Sequence, residues 1–302
     1  MKKVALALAS GGPRGFAYIG AIEELLARGY EITSIAGVSA GSLVGGIYAA
    51  GGLQAFKEWL FGLDPVKVVS LMDFSVSRNY LVKGDKVINA IKERVPNVNI
   101  EDLPIPFTAV ATDLFTGEEV IFREGPLFDA IRASISIPSM FRPVKWKGRT
   151  LVDGGMVNTF PLNRVARTPG DILVGFNVNQ IDAAEIQGFL DSRAALVQDR
   201  DSLPLRDRLV TDLQELRLML DGRENRLPVT ADATFSSILQ RSFGIMNCTI
   251  ARMGIALTPP DILVDLPFDS YHGVYGYSHA EEIADKGRQL MAEALDAYEA
   301  EK

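Results

Sequence analysis

Val4-Ala5-Leu6-Ala7-Leu8-Ala9 runs directly into Ser10-Gly11-Gly12-Pro13-Arg14-Gly15, and Ile32 to Ala36 runs into Gly37-Val38-Ser39-Ala40-Gly41. Each apolar run suits a strand buried on both faces of a parallel sheet. Each glycine-rich turn is followed by helical spacing. After the first come Ala17, Ile19, Ala21, Ile22, Leu25 and Leu26, stopped at Gly29; after the second comes Leu43 to Ala50, ending at Gly51-Gly52. Strand–turn–helix repeated in this way begins a parallel α/β sheet, and neighbouring parallel strands bring both turns to its carboxyl edge, where open sheets hold ligands.

Further along, Phe107 to Thr112, Glu119 to Phe122, Thr150 to Val152, Ile172 to Val178 and Asp261 to Leu266 read as strands; Phe128 to Ser134 and Ala280 to Ala300 read as helices. The expected fold is α/β, a three-layer α/β/α sandwich with a mainly parallel central sheet. The chain reads as one domain over 1–302 with a charged helical insertion at about 181–229. That insertion is a solvated excursion or, read more sharply, a lid or dimer surface. Ser236 to Ile255 is a second apolar helical stretch, expected to pack on the core rather than wall an acyl chain.

Composition narrows the chemistry. With 302 residues, 47% apolar and 23% charged, the chain has the make-up of a folded protein and not of a disordered one. A net charge of −7 argues against nucleic acid held on a basic face. It does not favour bulk attraction to anionic lipid either, although a small apolar rim remains compatible with peripheral membrane contact. One cysteine and two histidines leave no material for a disulfide framework or a cysteine- or histidine-rich metal centre. Lys2-Lys3 and the Ala-x-Ala pattern imitate a secretory signal, but the apolar run is too short, and no segment has the length of a spanning helix. The expected location is cytoplasmic, with room for contact at the inner face of the membrane.

Gly37-Val38-Ser39-Ala40-Gly41 carries the strongest chemical signal. A serine on a tight strand-to-helix turn is held in a strained conformation that exposes its hydroxyl, and flanking glycines remove side chains that would clash. The helix that follows adds its positive end. Ser10-Gly11-Gly12-Pro13-Arg14-Gly15 exposes N–H groups suited to a developing oxyanion, with Arg14 adding positive charge. It lacks the Gly-Lys-Ser/Thr ending of a phosphate loop, and a dinucleotide fingerprint would need glycine at Ser10. Asp153-Gly154-Gly155 follows a short strand. Its carboxylate suits a base for Ser39, and Asp-Gly is equally a common turn. The order Ser39, Asp153, His272 also matches that of an α/β-hydrolase triad.

Taken in order, these blocks resemble the bacterial branch of the patatin-like phospholipases. The resemblance rests on Gly11-Gly12-Pro13-Arg14-Gly15, Gly37-Val38-Ser39-Ala40-Gly41, Ala133-Ser134-Ile135-Ser136-Ile137-Pro138-Ser139-Met140-Phe141 and Asp153-Gly154-Gly155. Ala111-Thr112-Asp113-Leu114 with Thr116-Gly117 adds to it. It covers about 3–180, thins from 255 onward, and does not reach the helical segment between. The family's fuller motif has glycine where this chain has Ser10.

The resemblance implies a serine acyl hydrolase acting on phospholipids, lysophospholipids or simpler acyl esters, without a cofactor. It implies a Ser39–Asp153 dyad with no histidine and an oxyanion hole in the loop of Gly11, Gly12, Arg14 and Gly15. Pro13 has no N–H, so the donors fall to Gly12, Arg14 or Gly15. The elbow glycines Gly37 and Gly41, and Gly154 and Gly155 behind the aspartate, complete the set. A lipid-binding or regulatory protein on the same scaffold, and the His272 triad, are the competing readings.

Overall fold

The computed structural model describes residues 2–75, 80–180, 235–268, 271 and 273–301. The expected insertion at 181–229 and His272 lie outside the described residues. The first half supplies β1 (Lys2–Leu8), α1 (Ala17–Ala27), β2 (Tyr30–Val38), α2 (Ala40–Ala49), α3 (Leu53–Phe61), α4 (Pro65–Leu71) and α5 (Asp85–Lys92). Next come β3 (Phe107–Asp113), β4 (Glu119–Phe122), α6 (Leu127–Ser134), β5 (Val144–Trp146), β6 (Arg149–Asp153) and β7 (Ile172–Gln180). The chain closes with α7 (Phe235–Leu257), β8 (Ile262–Pro267), α8 (Gly273–Ser278) and α9 (Ala280–Ala300).

All the strands join one eight-stranded sheet in the order β5-β6-β3-β2-β1-β7-β8, with β4 on β3. From β3 through β8 neighbouring strands are parallel. At the other side β4 and β6 run antiparallel to β3, and β5 antiparallel to β6. The sheet is therefore mixed, with a parallel centre and an antiparallel margin that the apolar runs alone did not announce.

β1 lies in the middle and shows how the layers form. Val4, Leu6 and Leu8 point into the larger core with α1, α2 and α9; Ala5, Ala7 and Ala9 face a smaller one closed by Phe160, Leu162, Val165, Leu173 and Ala251. Alternate side chains leave opposite faces of a strand, so a continuous apolar run is what two covered faces require. Helices lie on both faces, which makes the three-layer α/β/α sandwich. α7 departs from the expected core helix. Its Gly244, Cys248, Ala251 and Ile255 face inward, while Ile245, Met246, Met253 and Leu257 are exposed. Among the described residues no helix is long and apolar enough to cross a membrane.

Candidate active site

Ser39 stands between β2 and α2 with φ 53° and ψ −121°, in the left-handed half of backbone space that a non-glycine residue enters only at a cost. Neighbours impose this. A Cβ on Gly37 would fall 2.3 Å from the Gly41 carbonyl oxygen, and one on Gly41 would fall 2.3 Å from that of Leu8. Only glycine lets the turn fold back so tightly against β1. The elbow is then tied at both ends. The Ser39 N–H donates to Ser134 Oγ at 2.9 Å, and that hydroxyl donates to the Val110 carbonyl at 2.7 Å. The Ser39 carbonyl accepts from Leu43 N–H at 3.0 Å and from the Ser42 hydroxyl at 2.7 Å. Ser39 is buried, at the positive end of α2.

Sheet register brings Asp153 to it. Val38 pairs with Val110 across β2 and β3, and Ala111 pairs with Asp153 across β3 and β6. The residue after Val38 therefore lies level with Asp153, across β3 from it. Gly154 crosses β3 at Val110, where a Cβ would sit 2.3 Å from the Val110 carbonyl oxygen and 3.1 Å from Val38. The Asp153 backbone is clamped by its N–H donating to Ser136 O at 2.9 Å and by the Thr112 hydroxyl donating to its carbonyl at 3.0 Å. Of its carboxylate oxygens, Oδ1 accepts from the Gly155 N–H at 2.8 Å, whereas Oδ2 is buried with no partner in hydrogen-bonding geometry among the described residues. Burial pushes this carboxyl up to about 6; the nearby Ser39 hydroxyl and the Gly155 N–H pull it partly back.

The glycine loop closes the third side. Gly11 is the extended entry to a single turn of 3₁₀ helix, Gly12–Phe16, and Gly12 takes φ +56°. Gly15 abuts the elbow, with a Cβ there 2.4 Å from that of Ala40. Ser10 has no positive φ, so serine fits where the family motif has glycine, and its Oγ lies beside the bare Cα of Gly155. Arg14 is braced from the inside. Its buried guanidinium lies 4.6 Å over the Phe268 ring and donates from Nε to the Val178 carbonyl at 2.9 Å, bracing the loop on β7.

Ser39, Asp153 and residues 10–15 thus converge from three parts of the chain. Sequence reasoning singled out Ser134 only as part of a motif; its role as the elbow's tether depends on α6 ending over β3. Tyr277 was missed altogether. Its hydroxyl lies 3.8 Å from where a Cβ on Gly12 would stand, and burial pushes its phenol up to about 12 against the opposing charge of Arg14.

The sequence model of the patatin-like phospholipases matches residues 6–166, more than half of the chain and all of this constellation. The chain belongs to the patatin-like phospholipase family. An uncharacterized NTE family protein of Mycobacterium tuberculosis is 32% identical to it across 98% of this chain and 92% of that protein. Patatin-like phospholipase domain-containing protein 6 of Mus musculus is 27% identical over 63% of this chain, a region that spans 14% of the mouse protein. Among solved structures, VipD from Legionella pneumophila aligns over 97% of this chain and 67% of its own with a TM-score of 0.42 and 12% identity. Membership places this patatin-like chain in a family of lipid hydrolases.

Proposed function

We propose that this patatin-like protein is a serine acyl hydrolase that cleaves carboxylic esters of phospholipids, lysophospholipids or related lipids through a Ser39–Asp153 dyad. Asp153 accepts the Ser39 hydroxyl proton as Oγ attacks the ester carbonyl, and the carbonyl π electrons move onto oxygen. N–H groups of the glycine loop hold that oxyanion. Collapse expels the alcohol, which takes the proton back from Asp153 and leaves an acyl-Ser39 ester. Water, deprotonated by the same carboxylate, then releases the fatty acid and restores Ser39.

The observation that carries this reading is the Asp153 carboxylate, buried next to a strained serine, with one oxygen anchored by Gly155 and the Ser39 hydroxyl as the other donor acting on it. A binding module gains nothing from holding a serine in that conformation or an acceptor in that state. The reading places the enzyme on the cytoplasmic side, meeting lipid peripherally.

The test compares hydrolysis of a p-nitrophenyl ester series and of lysophospholipid by wild type, Ser39→Ala, Asp153→Ala and His272→Ala. The dyad requires loss of at least ~10³-fold in kcat for the Ser39 and Asp153 variants and less than tenfold for the histidine variant. A severe His272 loss with a mild Asp153 loss would sink the dyad, whereas severe losses at both would point to the triad.

A further inference from the structure

We infer that Asn179, on β7, is a positioning residue that fixes the Ser10–Gly11 peptide so that the Gly11 N–H, outside the donor set read from the sequence, is presented as an oxyanion donor on the Ser39 side of the sheet. The inference rests on the hydrolase reading above and deepens it.

The Asn179 Nδ2 donates to the Ser10 carbonyl oxygen at 2.6 Å. The peptide is planar and trans, so the Gly11 N–H points opposite to the Ser10 carbonyl. β7 lies on one side of β1 and β2 on the other. A Ser10 carbonyl drawn toward β7 therefore turns the Gly11 N–H toward β2 and the elbow that follows it. Among the described residues nothing accepts a hydrogen bond from that N–H. A glycine peptide in a loop can otherwise flip, exchanging a donor for an oxygen that would repel an oxyanion.

Other contacts make the lock rigid. The Asn179 N–H donates to Asn177 Oδ1 at 3.1 Å, and Asn177 Nδ2 donates to Asp265 Oδ1 at 2.8 Å on β8. The preceding residue seats the loop as well. A Cβ on Gly11 would fall 2.0 Å from Val178 Cγ2, and the Val178 carbonyl takes the Arg14 Nε. The carboxyl end of β7 is thus a back-plate for the whole oxyanion loop.

Asn179 is 1% exposed, and its Oδ1 is buried with no partner among the described residues. An orphaned buried acceptor destabilises a protein, so this side chain is not explained by packing, which leucine of similar shape would serve better. What it supplies is the donor.

The experiment measures kcat and KM on a short-chain p-nitrophenyl ester, the rate of fluorophosphonate labelling, and thermal unfolding, for wild type, Asn179→Leu and Asn179→Ala. Asn179→Leu keeps the volume and deletes both donor and orphan; Asn179→Ala remains as the readout if leucine disturbs the fold. The expected result is a fall of about 10- to 100-fold in kcat and in labelling rate, with KM within about threefold, in a variant that unfolds no earlier than its packing change requires. A folded variant whose kcat and labelling rate stay within about twofold of wild type overturns the assignment. So does a raised KM at unchanged kcat, which would make Asn179 a substrate contact. Failure of wild type itself to label or hydrolyse is a different outcome, and it overturns the hydrolase reading on which this one stands.

Discussion

Replacing Asp153 by asparagine should abolish activity and make the protein more stable at neutral pH. The carboxyl is 4% exposed, one oxygen has no partner in hydrogen-bonding geometry among the described residues, and burial lifts its pKa from 3.8 to about 6. A group whose pKa is raised on folding binds its proton more tightly in the native than in the unfolded chain. The stability it confers is therefore complete below about 3.8, declines as pH rises, and has been lost above about 6. At 1.36 kcal/mol per pH unit, that rise corresponds to roughly 3 kcal/mol of stability forgone at neutral pH to keep the carboxylate charged. Asparagine keeps an oxygen for the Gly155 N–H and carries no charge, so it recovers part or all of this. Denaturant unfolding of both proteins at pH 7.5 and pH 4.5 measures it. The variant should lead by about 1–3 kcal/mol at pH 7.5 and by much less at pH 4.5. An asparagine variant no more stable than wild type at pH 7.5, or a difference that does not change with pH, would refute the claim that a buried, under-solvated charge is held there.

The same group sets the activity profile: kcat/KM on a neutral ester should rise with pH through a midpoint near 6, falling about tenfold per unit below it, and a flat profile from pH 5 to 8 would exclude Asp153 as the base. Ser39→Gly should raise stability by about 1 kcal/mol while abolishing turnover, because glycine occupies φ 53° without strain; a denaturation midpoint below wild type would contradict the strained elbow. Ser134→Ala should cost about 1–3 kcal/mol, since it strands the Ser39 N–H and the Val110 carbonyl together, and it should lower kcat more than it raises KM.

How far the sequence revealed this arrangement depended on how local each determinant was. The elbow was legible because strand, Gly-x-Ser-x-Gly and helix are contiguous, and Gly37's close approach to Gly41 lies within that stretch, although Gly41's approach to Leu8 does not. β1 and β2 were legible for the same reason. β5 was not. Its hairpin to β6 turns on Lys147 and Gly148, both at positive φ, and Lys-Gly is a weaker signal for such a turn than Asn-Gly. α4 was passed over although Asp64-Pro65 is a good helix start, with the Asp64 carboxylate accepting from the Lys67 N–H at 2.8 Å. Asp153 looked like an ordinary Asp-Gly turn until the ordered motifs gave it context, because its nearness to Ser39 comes from the pairing of β6 with β3, which no local pattern encodes. Asn179 could not be singled out at all: its meaning arises only when β7 is laid beside β1.

The central claim is that Ser39 is an activated nucleophile facing working oxyanion donors. The measurement that tests it most directly is mass-spectrometric mapping of a fluorophosphonate probe on the purified, folded protein, with Ser39→Ala as control. The account predicts one phosphonyl group per chain, attached at Ser39 and absent from the control; no labelling of the folded protein, or labelling at another serine, would contradict it.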